Sequence, residues 1–263
     1  MAARAHRRVF PLVFASLVAL AWAALWAWSS SPYGRYLDHG GWTGSGPAAA
    51  LCRALPGGAV WLPAAFDAAA WTLMILAMML PTTLSLFNAF ARVVAGRPDR
   101  ARLLALVALG YVAAWSGFGL LAHALHALLL AGVAHVPALA WRGWLIGAAV
   151  FALAGAFQFS ALKTRCLERC RTPLSFVISH WRGRAPQRHA FALGGRHGLF
   201  CVGCCWALML LMFVVGAGSL GWMLALAAAM ALEKNAAWGR RVTAPLGFAL
   251  LGGAVLIAAA HLL

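Results

Sequence analysis

Carboxylates are almost missing from this chain. Asp38, Asp67, Asp99, Glu168 and Glu233 are its five acidic residues out of 263, and charged residues of both signs make up 10%. A soluble protein carries roughly a quarter charged residues, so too few remain here to clothe a water-soluble globule, and a soluble enzyme is not expected. Other absences narrow the chemistry. The chain has no glycine-rich phosphate loop, no Ser-His-Asp order and no paired carboxylates, which leaves hydrolase and kinase readings without support.

What the chain has in abundance is apolar, at 64% of all residues. Apolar runs fall at about 9–28, 66–91, 103–131, 143–162, 199–217, 220–238 and 242–262. Each is near the ~20 residues that a helix needs to cross ~30 Å of hydrocarbon. Backbone in lipid must satisfy its own hydrogen bonds, so helices are expected rather than open strands. Arg4, Arg7 and Arg8 precede the first run. Trp22, Trp26 and Trp28 stand where a signal peptide would place small residues, so this helix is read as uncleaved. The expected fold is all-α: one polytopic membrane bundle of about seven helices over residues 1–263, with an outer loop at 29–65 and a basic cytoplasmic loop at 163–198.

A net charge of +16 raises the question of nucleic acid. The placement of the basic residues answers it. With the N-terminus inside, the cytoplasmic connections hold Arg4, Arg7 and Arg8, then Arg92, Arg97, Arg100 and Arg102, then eight Lys and Arg from Lys163 to Arg196, then Lys234, Arg240 and Arg241. The opposite side receives Arg35, Arg53 and Arg142. This asymmetry is the positive-inside signature, giving N-terminus in and C-terminus out for seven spans. The partner implied by the charge is a lipid bilayer and not a nucleic acid.

Five of the six cysteines form two clusters. Cys166 and Cys170 are four apart, on one face of any helix that continues the fourth span until Pro173. Cys201, Cys204 and Cys205 share a face of the fifth span by the same spacing, and Cys52 stands alone. Both clusters fall at the cytoplasmic end, where a reducing compartment favours metal binding or redox chemistry over standing disulfides.

Methionines continue the pattern: Met209 and Met212 deeper on the fifth span, Met74 and Met78 with Met79 beside them on the second, and Met223 and Met230 on the sixth. Thiolates at a mouth and thioethers further in suit a soft ion, above all Cu(I). The opposing reading of any one methionine is core filling.

Glu233, beside Lys234, is an ionisable group within a late span and so a candidate site residue, with pairing to Lys234 or Lys163 as the alternative. Pro81 frees a backbone carbonyl one turn earlier and predicts a kink beside Met78. His123 and His126 lie three apart in the third span without an evident partner. His180, His189 and His197 fall in the basic connection, where solvated histidines are the default.

Four motifs in order carry a resemblance. They are Ala77-Met78-Met79-Leu80-Pro81-Thr82; Lys163-x-x-Cys166-Leu167-x-x-Cys170-Arg171-x-Pro173; Gly198-x-x-Cys201-x-Gly203-Cys204-Cys205-Trp206-x-x-Met209; and Met230-x-x-Glu233-Lys234. Over about residues 70–240 the chain resembles a bacterial family of predicted metal-binding integral membrane proteins. That family is named for a membrane copper chaperone serving a polyphenol oxidase (tyrosinase). The resemblance implies copper handling in the bacterial inner membrane, without enzyme activity, with Cys166, Cys170, Cys201, Cys204 and Cys205 at the matching positions and a copper-dependent oxidase as partner. The residues alone reach a soft-metal site with metal candidates Cys166, Cys170, Cys201, Cys204, Cys205, Met74, Met78, Met209, Met212, Met230 and Glu233. They also allow a membrane thiol–disulfide oxidoreductase using the same cysteines, although Cys52 outside has no second thiol to pair with.

Overall fold

The apolar runs fold as helices. The structure, a computed structural model, describes residues 2–31, 61–135, 142–183, 185–216 and 219–262. Most of the expected outer loop, Cys52 included, lies outside the described residues. The described elements are α1 (Ala2–Ser29), α2 (Trp61–Met74), α3 (Leu84–Val93), α4 (Arg100–His135), α5 (Gly143–Phe157), α6 (Ala161–Arg171), α7 (Pro173–His180), α8 (Pro186–Val215), α9 (Leu220–Asn235) and α10 (Arg240–Leu262). Among them there is no strand.

By length and composition, four of these helices can cross a membrane, and up to six spans result if each of two bent pairs counts as one. The pairs are Ala68–Met79 with Pro81–Val93, bent by 44°, and Gly143–Phe157 with Ala161–Arg171, bent by 62°. The segment expected as a span at 220–238 differs. Its helix has 16 residues, about 24 Å at 1.5 Å per residue, because Ala236 turns extended and ends it. The basic connection at 163–198 is helical, and α6 ends just before Pro173 as expected. The connection is occupied by α6, α7 and the first turns of α8, so α8 is 30 residues long and carries its cysteines near its middle.

Pro81 bends the second span through the expected mechanism. The Ala77 carbonyl that a residue-81 amide would have bonded accepts the Trp22 indole N–H from α1 at 3.2 Å. Just before the proline the chain widens into a π turn, Ile75–Met79, closed by Leu80 N–H to the Ile75 carbonyl, and then tightens into a 3₁₀ turn, Pro81–Thr83. Such a π turn inside an α-helix re-aims side chains and recurs at functional sites.

Small residues set the approach of the two longest packed helices. On α8, Gly194 and Gly198 are four apart and face α4. A β-carbon on Gly194 would collide with the Val107 carbonyl, and one on Gly198 would meet the Ala114 β-carbon at 2.7 Å. This is the small-xxx-small geometry that lets membrane helices close up. It brings Tyr111 of α4 against the cysteine face of α8. Outside the bundle, Arg97 donates twice to Asp99 in the turn before α4, and that hydrogen-bonded guanidinium holds the Asp99 carboxyl below its ordinary range.

Candidate metal centre

The centre forms where α8 meets the π turn, α4, α6 and α9. On α8, Cys201, Cys204 and Cys205 are all buried, and their sulfurs lie within 4.8 Å of one another. The helix itself explains this: steps of three and four residues stack side chains over one turn. Local hydrogen bonds hold the thiols inward. The Cys204 and Cys205 Sγ atoms both contact the Cys201 carbonyl, at 3.1 and 2.8 Å.

Two further sulfurs come from distant sequence. Cys170, on α6, sets its Sγ 4.0 Å from that of Cys204. Met79, the last residue of the π turn, sets its Sδ 3.8 Å from Cys205 Sγ, and Cys204 and Cys205 Sγ are also 3.8 Å apart. The spacing can be tested against coordination chemistry. With a metal–thiolate distance of about 2.3 Å, ligand sulfurs fall about 3.8 Å apart in a tetrahedron and about 4.0 Å apart in a trigonal plane. The sulfurs of Cys170, Cys204, Cys205 and Met79 form a chain at that spacing without a disulfide, and the donor set is one that soft metals prefer. All five described cysteines are free.

A buried cation flanks the sulfurs. Lys234 Nζ, buried on α9, lies 2.9 Å from Cys201 Sγ, 3.6 Å from Cys205 Sγ and 3.2 Å from Thr82 Oγ1. Tyr111 Oη is 2.9 Å from Cys201 Sγ and donates to the Met79 carbonyl at 3.3 Å. An ammonium among sulfurs offsets the negative charge that bound thiolates bring.

Glu233 takes a different place from its neighbour. It pairs with Lys163 of α6 at 2.8 Å in a buried bridge, leaving its Oε1 without a partner among the described residues. Arg171 donates to its backbone carbonyl and, at 3.1 Å, to that of Ala237. These contacts fasten α6 to α9, bringing Cys170 and Lys234 to the same centre. The pairing alternative drawn from the sequence is the arrangement observed.

The remaining candidates are buried but spread. Cys166 packs on α8 at Gly203, where a β-carbon would sit 2.6 Å from its sulfur. Met74, Met78, Met209, Met212 and Met230 belong to the same buried cluster as the cysteines. Reasoning from the sequence ranked Met79 below Met74 and Met78, and it missed Tyr111 and Lys234 as neighbours of the thiols. The π turn rotates Met79 inward, which a regular helical wheel does not anticipate. Glu233-Lys234 drew attention as a pair, and spacing does not separate them, since three and four residues from Met230 both fall on its side of the helix.

Residues 68–257, most of the chain, match a family described as PpoB2, a copper chaperone. No curated protein and no solved structure matches the chain. The match runs through all four motifs and every residue of the sulfur centre, and the chain belongs to this copper chaperone family.

Proposed function

We propose that this protein is a multi-pass chaperone of the bacterial inner membrane that binds Cu(I) at its sulfur centre and delivers it to a copper-dependent oxidase, of which a tyrosinase is the favoured client. The observation that carries this reading is the chain of thiols and a thioether at 3.8–4.0 Å spacing around the Cys201/Cys204/Cys205 group. Cys170, Cys201, Cys204, Cys205 and Met79 would form the first cage. Cys166 and the buried Met74, Met78, Met209, Met212 and Met230 would supply further soft positions, and Glu233 acts by holding Lys163. Copper is cargo here, so a cage that can exchange ligands serves better than a closed structural site.

Two thiolates, one Cu(I) and the Lys234 ammonium sum to zero, and a divalent ion reaches the same balance with a third thiolate, so the preference for Cu(I) rests on the soft donors. Thiol–disulfide exchange, the other reading of the cysteines, makes no use of a thioether and gives no role to Met79. The positive-inside count supports the orientation proposed for one bundle over residues 1–263, with the N-terminus inside, and a C-terminus outside follows if the 16-residue α9 also crosses.

The test is metal analysis of the detergent-purified protein after loading with Cu(I) under reducing conditions, beside a Cys201→Ser/Cys204→Ser/Cys205→Ser variant. Wild type is expected to retain copper through desalting and the variant to lose it. Equal, negligible copper in both would sink the proposal. Quinone-dependent thiol oxidation that disappears in the same variant would establish the redox reading in its place.

A further inference from the structure

The cysteine cluster explains the middle of α8 but leaves one buried group a turn earlier unaccounted for. His197 lies four residues before Cys201, is 3% exposed, and its Nδ1 has no hydrogen-bond partner among the described residues. In the sequence it belonged with the solvated histidines of a basic loop. The extension of α8 through that region places it inside the protein instead. Its ring stands 6.2 Å from that of Tyr111 and 5.3 Å from that of Phe176, centroid to centroid. A buried nitrogen left unpaired is costly, and native proteins keep such a group where an ion or ordered water meets it. Imidazole nitrogen is a copper ligand.

Register makes the position more specific. Residues His197, Cys201, Cys205, Met209 and Met212 follow one another at steps of four, four, four and three, so they share one face of α8. All five are buried. The row covers sixteen residues, about 22 Å of helix from first to last, with successive donors one turn apart.

We propose that this face is a file of copper ligands and that His197 is its first member. Cu(I) is captured by His197 Nδ1 on the side where α8 begins among Arg182, Arg188 and Arg196, and it moves by ligand exchange to Cys201 and the sulfur centre. Met209 and Met212 continue the row beyond. Copper stays Cu(I) throughout, and no electron is transferred. Phe176 of α7 stands between half-buried His180, 4.3 Å away centroid to centroid, and His197, so α7 covers the mouth of the file. The inference rests on the copper reading above and assigns a loading position outside the sulfur cage.

The experiment uses the full chain in detergent, mixed by stopped flow with a chromophoric Cu(I) chelator complex, for wild type, His197→Phe and His197→Met. His197→Phe fills the same space without a donor, and His197→Met restores a soft one. The expected result is loading slowed by at least about tenfold, the equivalent of roughly 1.4 kcal/mol of barrier, in His197→Phe, with final copper content unchanged and the rate largely recovered in His197→Met. Loading of His197→Phe at the wild-type rate would overturn the file. So would equal slowing of both variants, which marks a packing role, or an ordered water as the sole partner of Nδ1. Wild type that takes up no copper would fail the chaperone reading itself, a result separate from either.

Discussion

Lys234 is buried with two sulfurs and a hydroxyl as its contacts, at 2.9, 3.6 and 3.2 Å. An ammonium taken out of water costs several kcal/mol unless charge nearby repays it, and bound thiolates supply that charge. Lys234→Leu removes the cation without adding a sulfur donor. Its Cu(I) affinity, measured by chelator competition, is expected to fall on the order of tenfold to a hundredfold, the equivalent of a charge-assisted hydrogen bond of about 1.5–3 kcal/mol. The same variant without copper should melt no lower than wild type, since it sheds an ammonium without a carboxylate partner. Unchanged affinity would remove Lys234 from the centre. From the sequence, Glu233 was the candidate and Lys234 its companion, because a carboxylate is a possible ligand and an ammonium is not. The fold reverses their importance: Glu233 turns to Lys163, and Lys234 turns to the sulfurs.

At the scale of elements, the centre depends on how closely α8 approaches α4 and on the shape of the chain around Pro81. The Gly194 contact has no room for a β-carbon against the Val107 carbonyl, and backbone cannot rotate away as a side chain does. Gly194→Ala is therefore expected to cost about 1–3 kcal/mol, as overpacking does, seen as a lower melting temperature in detergent. It should also reduce copper content, as Tyr111 withdraws from Cys201. A variant with wild-type melting and loading would show that the helices have slack. The bend at Pro81 was legible because the missing N–H is written in the residue type. The π turn before it was not, since one extra residue in a turn depends on what the neighbouring helices hold. Here those holds are Trp22 on the Ala77 carbonyl and Tyr111 on that of Met79.

For the whole molecule, the proposed orientation sets the side on which the proposed file would collect copper. The basic residues from Lys163 to Arg196 accompany α6, α7 and the start of α8, and the mouth of the proposed file opens there. A membrane-impermeant thiol reagent on intact cells should label Cys52 and should leave a Cys52→Ser/Gln187→Cys variant, its new thiol exposed at the start of α8, unlabelled until the membrane is opened. Labelling of Gln187→Cys from outside would invert the topology and the direction of loading. The sequence by itself determined the helical class, the bend at Pro81, the charge asymmetry and the two cysteine groups. Each follows from local composition or from spacing along a single helix, which neighbours cannot alter. Only the tertiary structure decided that Met79 rather than Met78 contacts Cys205, that Lys234 rather than Glu233 faces the thiols, and that His197 is buried. Those outcomes depend on which faces meet when α4, α6, α8 and α9 close around the π turn, and contact across helices has no period in the chain.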